Sequence, residues 1–193
     1  IGTAREPDEA SELAAIDGVT VLPLDASDDA SIDRFVQELG DGPIDLFVNN
    51  AGVYGPSDFD RGQWLDLFNV NVIGPVRLAT ALKDHVTKAA DGKMVVLSSQ
   101  VGSIAENDSG STIYSRTSKA AVNQAWHSLA QQWQDDGLTL AILHPGWVQT
   151  DMGGENADLT PQESVKGMRA VIDGLSPDRN GKFYDHSGRE IPW

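Results

Sequence analysis

Ile44-Asp45-Leu46-Phe47-Val48 runs directly into Asn49-Asn50-Ala51-Gly52. An apolar run of strand length that ends in polar residues and glycine reads as a buried strand with a turn at its carboxyl end. The chain repeats this pattern on both sides. Upstream, Val19-Thr20-Val21-Leu22-Pro23-Leu24 ends at Asp25, and residues 1–4 read as the end of a strand leading to Arg5. Downstream, Met94-Val95-Val96-Leu97 ends in Ser98-Ser99, and Leu138 to Leu143 ends in His144-Pro145-Gly146. Phe183-Tyr184 reads as a last short strand.

Helical patterns fill the intervals. Asp8 to Ile16 follows Pro7, a residue tolerated in a first helical turn. Ser27-Asp28-Asp29 caps a helix with an apolar stripe of Ile32, Phe35, Val36 and Leu39. A long helix is expected over 61–90 and another over 114–134, and Thr160-Pro161-Gln162-Glu163 opens a further one with a capping-box pattern. Strands that alternate with helices and are apolar throughout imply a parallel sheet covered on both faces. The expectation is an α/β, doubly wound fold, with residues 1–193 as a single domain. In such sheets ligands bind at the carboxyl ends of the strands, which here carry Arg5, Asp25, Asn49 to Gly52, Ser98-Ser99 and His144 to Gly146.

Composition narrows the function classes. The net charge of −15, from 29 acidic against 14 basic residues, argues against nucleic acid as a partner, because phosphate binding needs clustered Lys and Arg. Such a surface is either simply soluble and self-repelling or adapted to high salt, where screening removes the repulsion. The absence of cysteine excludes disulfides and zinc–thiolate sites. No apolar run approaches the roughly 20 residues that span a bilayer, and no signal-peptide order is visible at the start. A cytoplasmic protein with no membrane partner is expected. The chain begins without Met, in what reads as the end of a strand, so an upstream segment is expected.

Taken one by one, the strand-end residues have ordinary as well as functional readings. Asn50-Ala51-Gly52 allows a flat ligand to approach the backbone or is a plain turn. Asp25 accepts a hydrogen bond from an adenine amino group or caps the helix behind it. Arg5 meets a ribose 2′-phosphate through its planar fork or is solvated. Ser99 holds a substrate oxygen or simply ends a strand. Lys119 lowers the pKa of a nearby phenol for acid–base work or is a surface charge. Asn71 pairs with a buried backbone group or holds a water in a proton path. The four histidines share no metal-ligand spacing, so no metal is expected.

Taken together, these residues resemble the short-chain dehydrogenase/reductase family over nearly the whole chain. Asp25, Asn49-Asn50-Ala51-Gly52, Asn71-Val72-Ile73-Gly74, Ser98-Ser99 with Gly102-Ser103, Ser118-Lys119-Ala120-Ala121-Val122-Asn123 and His144 to Met152 stand in the family's order. Pro145 to Met152 and the ending in Ile191-Pro192-Trp193 are similar to the branch of C-factor-like and sniffer-like carbonyl reductases. The resemblance implies a Rossmann-type sheet and an oxidoreductase that transfers a hydride between NADP (or NAD) and a small carbonyl or alcohol. It implies catalytic roles for Asn71, Ser99 and Lys119 and for a tyrosine, here Tyr114. It implies cofactor contacts from Arg5, Asp25, Asn50, Ala51, Gly52, Lys119, Pro145, Gly146, Val148 and Thr150, with Arg5 favouring the phosphorylated cofactor. A homodimer through the two long helices is expected.

Two departures from the family pattern stand out. The glycine-rich turn that seats a pyrophosphate at a helix N-terminus would precede residue 1, and with it the first β–α unit of the sheet. That strand belongs between the one ending at Arg5 and the one ending at Asn49, which are not expected to pair across its place. The family also has Tyr four residues before Lys, where this chain has Ser115; Tyr114 is five before. On a helix, four residues return to within about 40° of the same face and five overshoot by about 140°. Tyr114 therefore reaches Lys119 only if the helix begins after it. An alternative follows: a catalytically degenerate relative that binds a nucleotide or a partner without turnover.

Overall fold

The computed structural model describes residues 1–55 and 58–193. Its elements, in order, are β1 (Gly2–Ala4), α1 (Ser11–Ala14), β2 (Val21–Pro23), α2 (Asp29–Leu39), β3 (Leu46–Asn49), α3 (Arg61–Phe68), α4 (Gly74–Thr87), β4 (Lys93–Leu97), α5 (Ile113–Gln132), β5 (Thr139–His144), α6 (Pro161–Asp173) and β6 (Phe183–Asp185). Helices α2, α3 and α6 start where the sequence supplies a side-chain acceptor. Asp28 accepts from Ala30 N at 3.1 Å, Asp60 from Gln63 N at 2.8 Å, and Thr160 and Glu163 form a reciprocal capping box.

All the strand pairs are parallel, as an α/β doubly wound fold requires. They form two ladders, β1–β2 and β3–β4–β5–β6, with no pairing between β1 and β3. In the middle of the larger ladder, successive side chains feed opposite cores. Met94, Val96, Leu140 and Ile142 pack with Ile32, Phe35, Leu78, Leu82, Val122 and Trp126 beneath α2, α4 and α5. Val95, Ala141 and Leu143 pack with Val171, Leu175 and Tyr184 beneath α6. Burial on both faces is why these strands read as unbroken apolar runs. The first core also holds Leu22 of β2, so it joins the two ladders although no hydrogen bond does.

Two sequence expectations need correction. The run at 44–48 reads as a buried strand, yet Leu46 and Val48 are 42% and 40% exposed. Their strand is an edge: β4 covers one side, and a cavity of about 920 Å³ lies along the other, bounded by Ile1 to Arg5, Asp25 to Ser27 and Leu46 to Val53. The long helix expected over 61–90 is interrupted. A turn of π-helix over Asn69–Ile73 separates α3 from α4, adding one residue that a regular helix would not hold.

Candidate active site

The π turn rotates Asn71 inward, where it is buried. Its Oδ1 accepts from Val53 N at 2.8 Å, while Nδ2 donates to Val53 O at 2.9 Å and to Ser118 Oγ at 3.2 Å. One side chain thus clamps the segment after β3 to α5. Both amide protons are spent, and one lone pair on Oδ1 remains. Of the two readings of Asn71, pairing with a backbone group is the one visible in the structure, although that group belongs to the half-exposed Val53. Gly52 lies just upstream. A Cβ there would stand 3.4 Å from Asn71 Oδ1 and 3.6 Å from Lys119 Nζ, so Gly52, Asn71 and Lys119 converge on one point at the carboxyl end of β3.

Lys119 reaches that point from α5. Its Nζ donates to Leu97 O at 3.0 Å, at the end of β4. Burial pushes its pKa down to about 8, because a charged ammonium loses hydration that a single carbonyl does not replace. Ser99 stands two residues beyond Leu97 and caps a short 3₁₀ turn, its Oγ accepting weakly from Val101 N at 3.4 Å. Its proton is left to donate elsewhere. That turn sits against α5 only because Gly102 has no side chain: a Cβ would come within 2.8 Å of the Lys119 carbonyl carbon and 3.0 Å of Asn123 Nδ2. Asn71 and Lys119 therefore converge at Gly52, and Ser99 follows two residues after the Leu97 carbonyl that Lys119 holds.

Tyr114 does not join them. Helix α5 begins at Ile113, so the helix is regular through Tyr114 and the phenol points away from Lys119, as five-residue spacing dictates. The ring is buried against Trp64 and Phe59, with centroids 4.8 and 6.5 Å away. Its hydroxyl donates to Asp58 O at 2.9 Å and accepts from Asp60 N at 2.6 Å. The sequence expectation of a catalytic Tyr114 is corrected accordingly: the phenol anchors the loop before α3. Ser115 occupies the face toward Lys119, buried, its Oγ accepting from Gly55 N at 3.5 Å.

The residues expected to meet a dinucleotide lie along β1, β2 and β3. Arg5 and Asp25 face each other across β1 and β2 and share a second cavity of about 720 Å³, with Arg34 of α2 on its wall. Asp25 does not cap α2; Asp28 does. Instead Oδ1 of Asp25 accepts from Ser27 Oγ at 2.6 Å and Ser27 N at 2.8 Å. These bonds, helped by Arg5, hold its pKa below the ordinary carboxylate value, and Oδ2 stays available. Ser31, whose Oγ accepts from Asp25 N at 2.9 Å, fixes this residue from below. Arg34 lies one helical turn further on, and the i, i+3 spacing from Ser31 is the only sequence signal that would have found it.

Asn50, Ala51 and Gly52 line the larger cavity. After β5, Pro145 O accepts from Ser164 Oγ at 2.6 Å, and Gly146 has a φ of 85° in a place where a Cβ would meet Leu159 and His186. Val148 bridges to Leu159, and Thr150 Oγ1 accepts from Gly153 N at 3.2 Å. This loop is held mainly by its own contacts. His144 keeps a buried Nδ1 without a partner, and burial pushes its pKa down to about 4. Among the described residues no cluster of three His, Asp or Glu is placed to hold a metal, and no helix is long and apolar enough to cross a membrane.

Comparison with known proteins places this geometry. The short chain dehydrogenase profile matches residues 3–160. The C-signal protein of Myxococcus xanthus is 40% identical over 163 residues, covering 82% of this chain and 98% of that protein. The solved carbonyl reductase Sniffer of D. melanogaster superposes with a TM-score of 0.93 at 29% identity, over 99% of this chain and 86% of the other. The NADPH-bound carbonyl reductase from chicken fatty liver superposes with a TM-score of 0.91, also at 29% identity and with the same coverage.

Proposed function

The chain belongs to the short-chain dehydrogenase family and is on that footing an NAD(P)-dependent oxidoreductase, and we propose that it moves a hydride between NADP and a small carbonyl compound or the matching alcohol. The observation that carries the proposal is the convergence of Gly52, Asn71 and Lys119 beside Ser99 at the ends of β3 and β4. The bound dinucleotide would supply the hydride. Ser99 Oγ, with a proton to spare, would donate to the carbonyl oxygen and orient it. Asn71 would hold the backbone at Val53 so that the flat ring lies against Gly52. The chain's residues fit the two ends of such a cofactor: Asp25 with its open Oδ2 and Arg5 beside it at one end, Asn50 to Gly52 and Lys119 at the other. Pro145, Gly146, Val148 and Thr150 would close over the nicotinamide. Arg5 and Arg34 on one cavity support preference for the 2′-phosphate.

The test is loss of cofactor absorbance with a panel of aldehydes and ketones. Turnover with at least one, abolished in Ser99→Ala, supports the proposal. NADPH binding without turnover of any substrate would favour the second reading, a degenerate relative that binds nucleotide or a partner. The observation behind that reading is Tyr114, held away from Lys119 by two backbone hydrogen bonds.

The same proposal has residues 1–193 as one domain, supported by the core that runs from Leu22 to Phe183. It includes a cytoplasmic location and a homodimer, the latter supported by the exposed Leu65 and Ile73 around the α3–α4 junction. The net charge of −15 supports a halophilic protein, whose melting temperature should rise steadily with added salt.

A further inference from the structure

Reduction of a carbonyl needs a proton as well as a hydride, and the source of that proton is open in this chain. The phenol of Tyr114 is occupied at both its donor and its acceptor positions and packed between Trp64 and Phe59. His144, at the end of β5, is kept neutral. Around Lys119, the turn after β3 presents Gly52, the π turn presents Asn71, and the end of β4 presents the Leu97 carbonyl. On its own helix, Ser115 and Ser118 are neutral, and Arg116 is turned to Ser111 O at 2.7 Å and Val101 O at 3.3 Å. None of the neutral groups ionises near neutrality, and an arginine keeps its proton. Among the described residues, Lys119 is the one titratable side chain at the convergence point, and only one of its three N–H donors has an acceptor, Leu97 O at 3.0 Å.

We propose that the Lys119 ammonium is the proton donor of this site, the part that the family resemblance assigns to a tyrosine; the proposal rests on the oxidoreductase reading above. The carbonyl carbon gains the hydride from a reduced nicotinamide, the π pair of the C=O bond moves to oxygen, and that oxygen takes a proton from Lys119 Nζ. The neutral amine left behind regains a proton from solvent. An ordinary lysine is too weak an acid to do this well near neutrality. Lys119 is buried with no carboxylate acting on it, and its pKa falls to about 8, which brings it into the useful range.

Two measurements test this together. In the cofactor-free protein, side-chain NMR should show Lys119 titrating near 8, and an ordinary value of about 10.4 would overturn the proposal. In single-turnover reduction of an aldehyde at saturating NADPH, the wild-type rate should fall about tenfold per pH unit above that same value, and Lys119→Met should lose about 100-fold or more in that saturated rate. Lys119→Arg, which keeps the charge but holds its proton, should not rescue. A rate flat in pH to about 10, or unchanged in Lys119→Met, overturns the assignment. Turnover in Ser115→Tyr but not in the wild type overturns it too, while leaving the oxidoreductase reading of the site intact. No turnover in either, with NADPH bound, overturns both.

Discussion

Val95, Ala141, Ile142 and Leu143, in the middle strands of the larger ladder, are fully buried, whereas β1 and β2 are three residues each and bury only Leu22. The two ladders serve the two ends of the candidate site. Ser99 follows β4, which is seated in both cores, and Lys119 stands on α5, which is seated in the first. Arg5 and Asp25 stand on the thin ladder, whose inner edge faces a cavity rather than another strand. The groups proposed for chemistry are thus held rigidly, and those proposed to grip the nucleotide are held by much less. The contrast predicts that damage to the larger ladder unfolds the protein, while damage to the smaller one weakens binding first.

The largest effect should come from Trp126, the bulkiest fully buried side chain. Trp126→Ala should cost about 4 kcal/mol in denaturant unfolding, against about 2 kcal/mol for Leu22→Ala, whose site is closer to solvent and can collapse. Equal costs would erase the contrast. Next is Asn71→Ala, which removes the two hydrogen bonds between the buried Asn71 amide and the backbone of Val53 and should cost about 2 kcal/mol.

Lys119 gives a smaller effect of opposite sign. Its folded pKa of about 8 lies below the unfolded value of about 10.4. Between these values the unfolded chain binds more protons, so stability should rise with pH through that window; below it, the buried charge is a constant penalty. Lys119→Met should therefore raise stability at neutral pH by about 1–2 kcal/mol and remove the rise. Thermal melts across the window read both. The smallest effect is at the thin ladder: Arg5→Ala should leave stability within about 0.5 kcal/mol and reduce the NADP over NAD preference about tenfold. An unchanged ratio would take Arg5 out of the site.

How far the sequence discloses all this follows the same division. The strands of the larger ladder are legible because burial on both faces leaves no polar position in Met94 to Leu97 or Leu140 to Leu143. Leu46 and Val48 mislead, since an apolar residue at an open edge looks like one in a core. The π turn is invisible, because Asn69 to Ile73 contains nothing a helix forbids. Its cause is the bond from Asn71 to Val53, 18 residues away in the chain. The spacing of Tyr114 and Ser115 from Lys119 is plain arithmetic and predicts which of them faces it. What the arithmetic omits is the phenol's destination, the backbone of Asp58 and Asp60. Arg34 does not stand out in the sequence, since a cation on an exposed helix looks like any other until the cavity beside Arg5 is seen.

The most direct test follows the hydride itself. NADPH carrying deuterium at the transferable position is incubated with the wild-type protein and an aldehyde, and the alcohol product is weighed by mass spectrometry. One deuterium on the carbinol carbon, made by the wild type and at least about 100-fold more slowly by Lys119→Met, is the predicted result. Labelled cofactor that binds and returns unchanged from every carbonyl tried would contradict it.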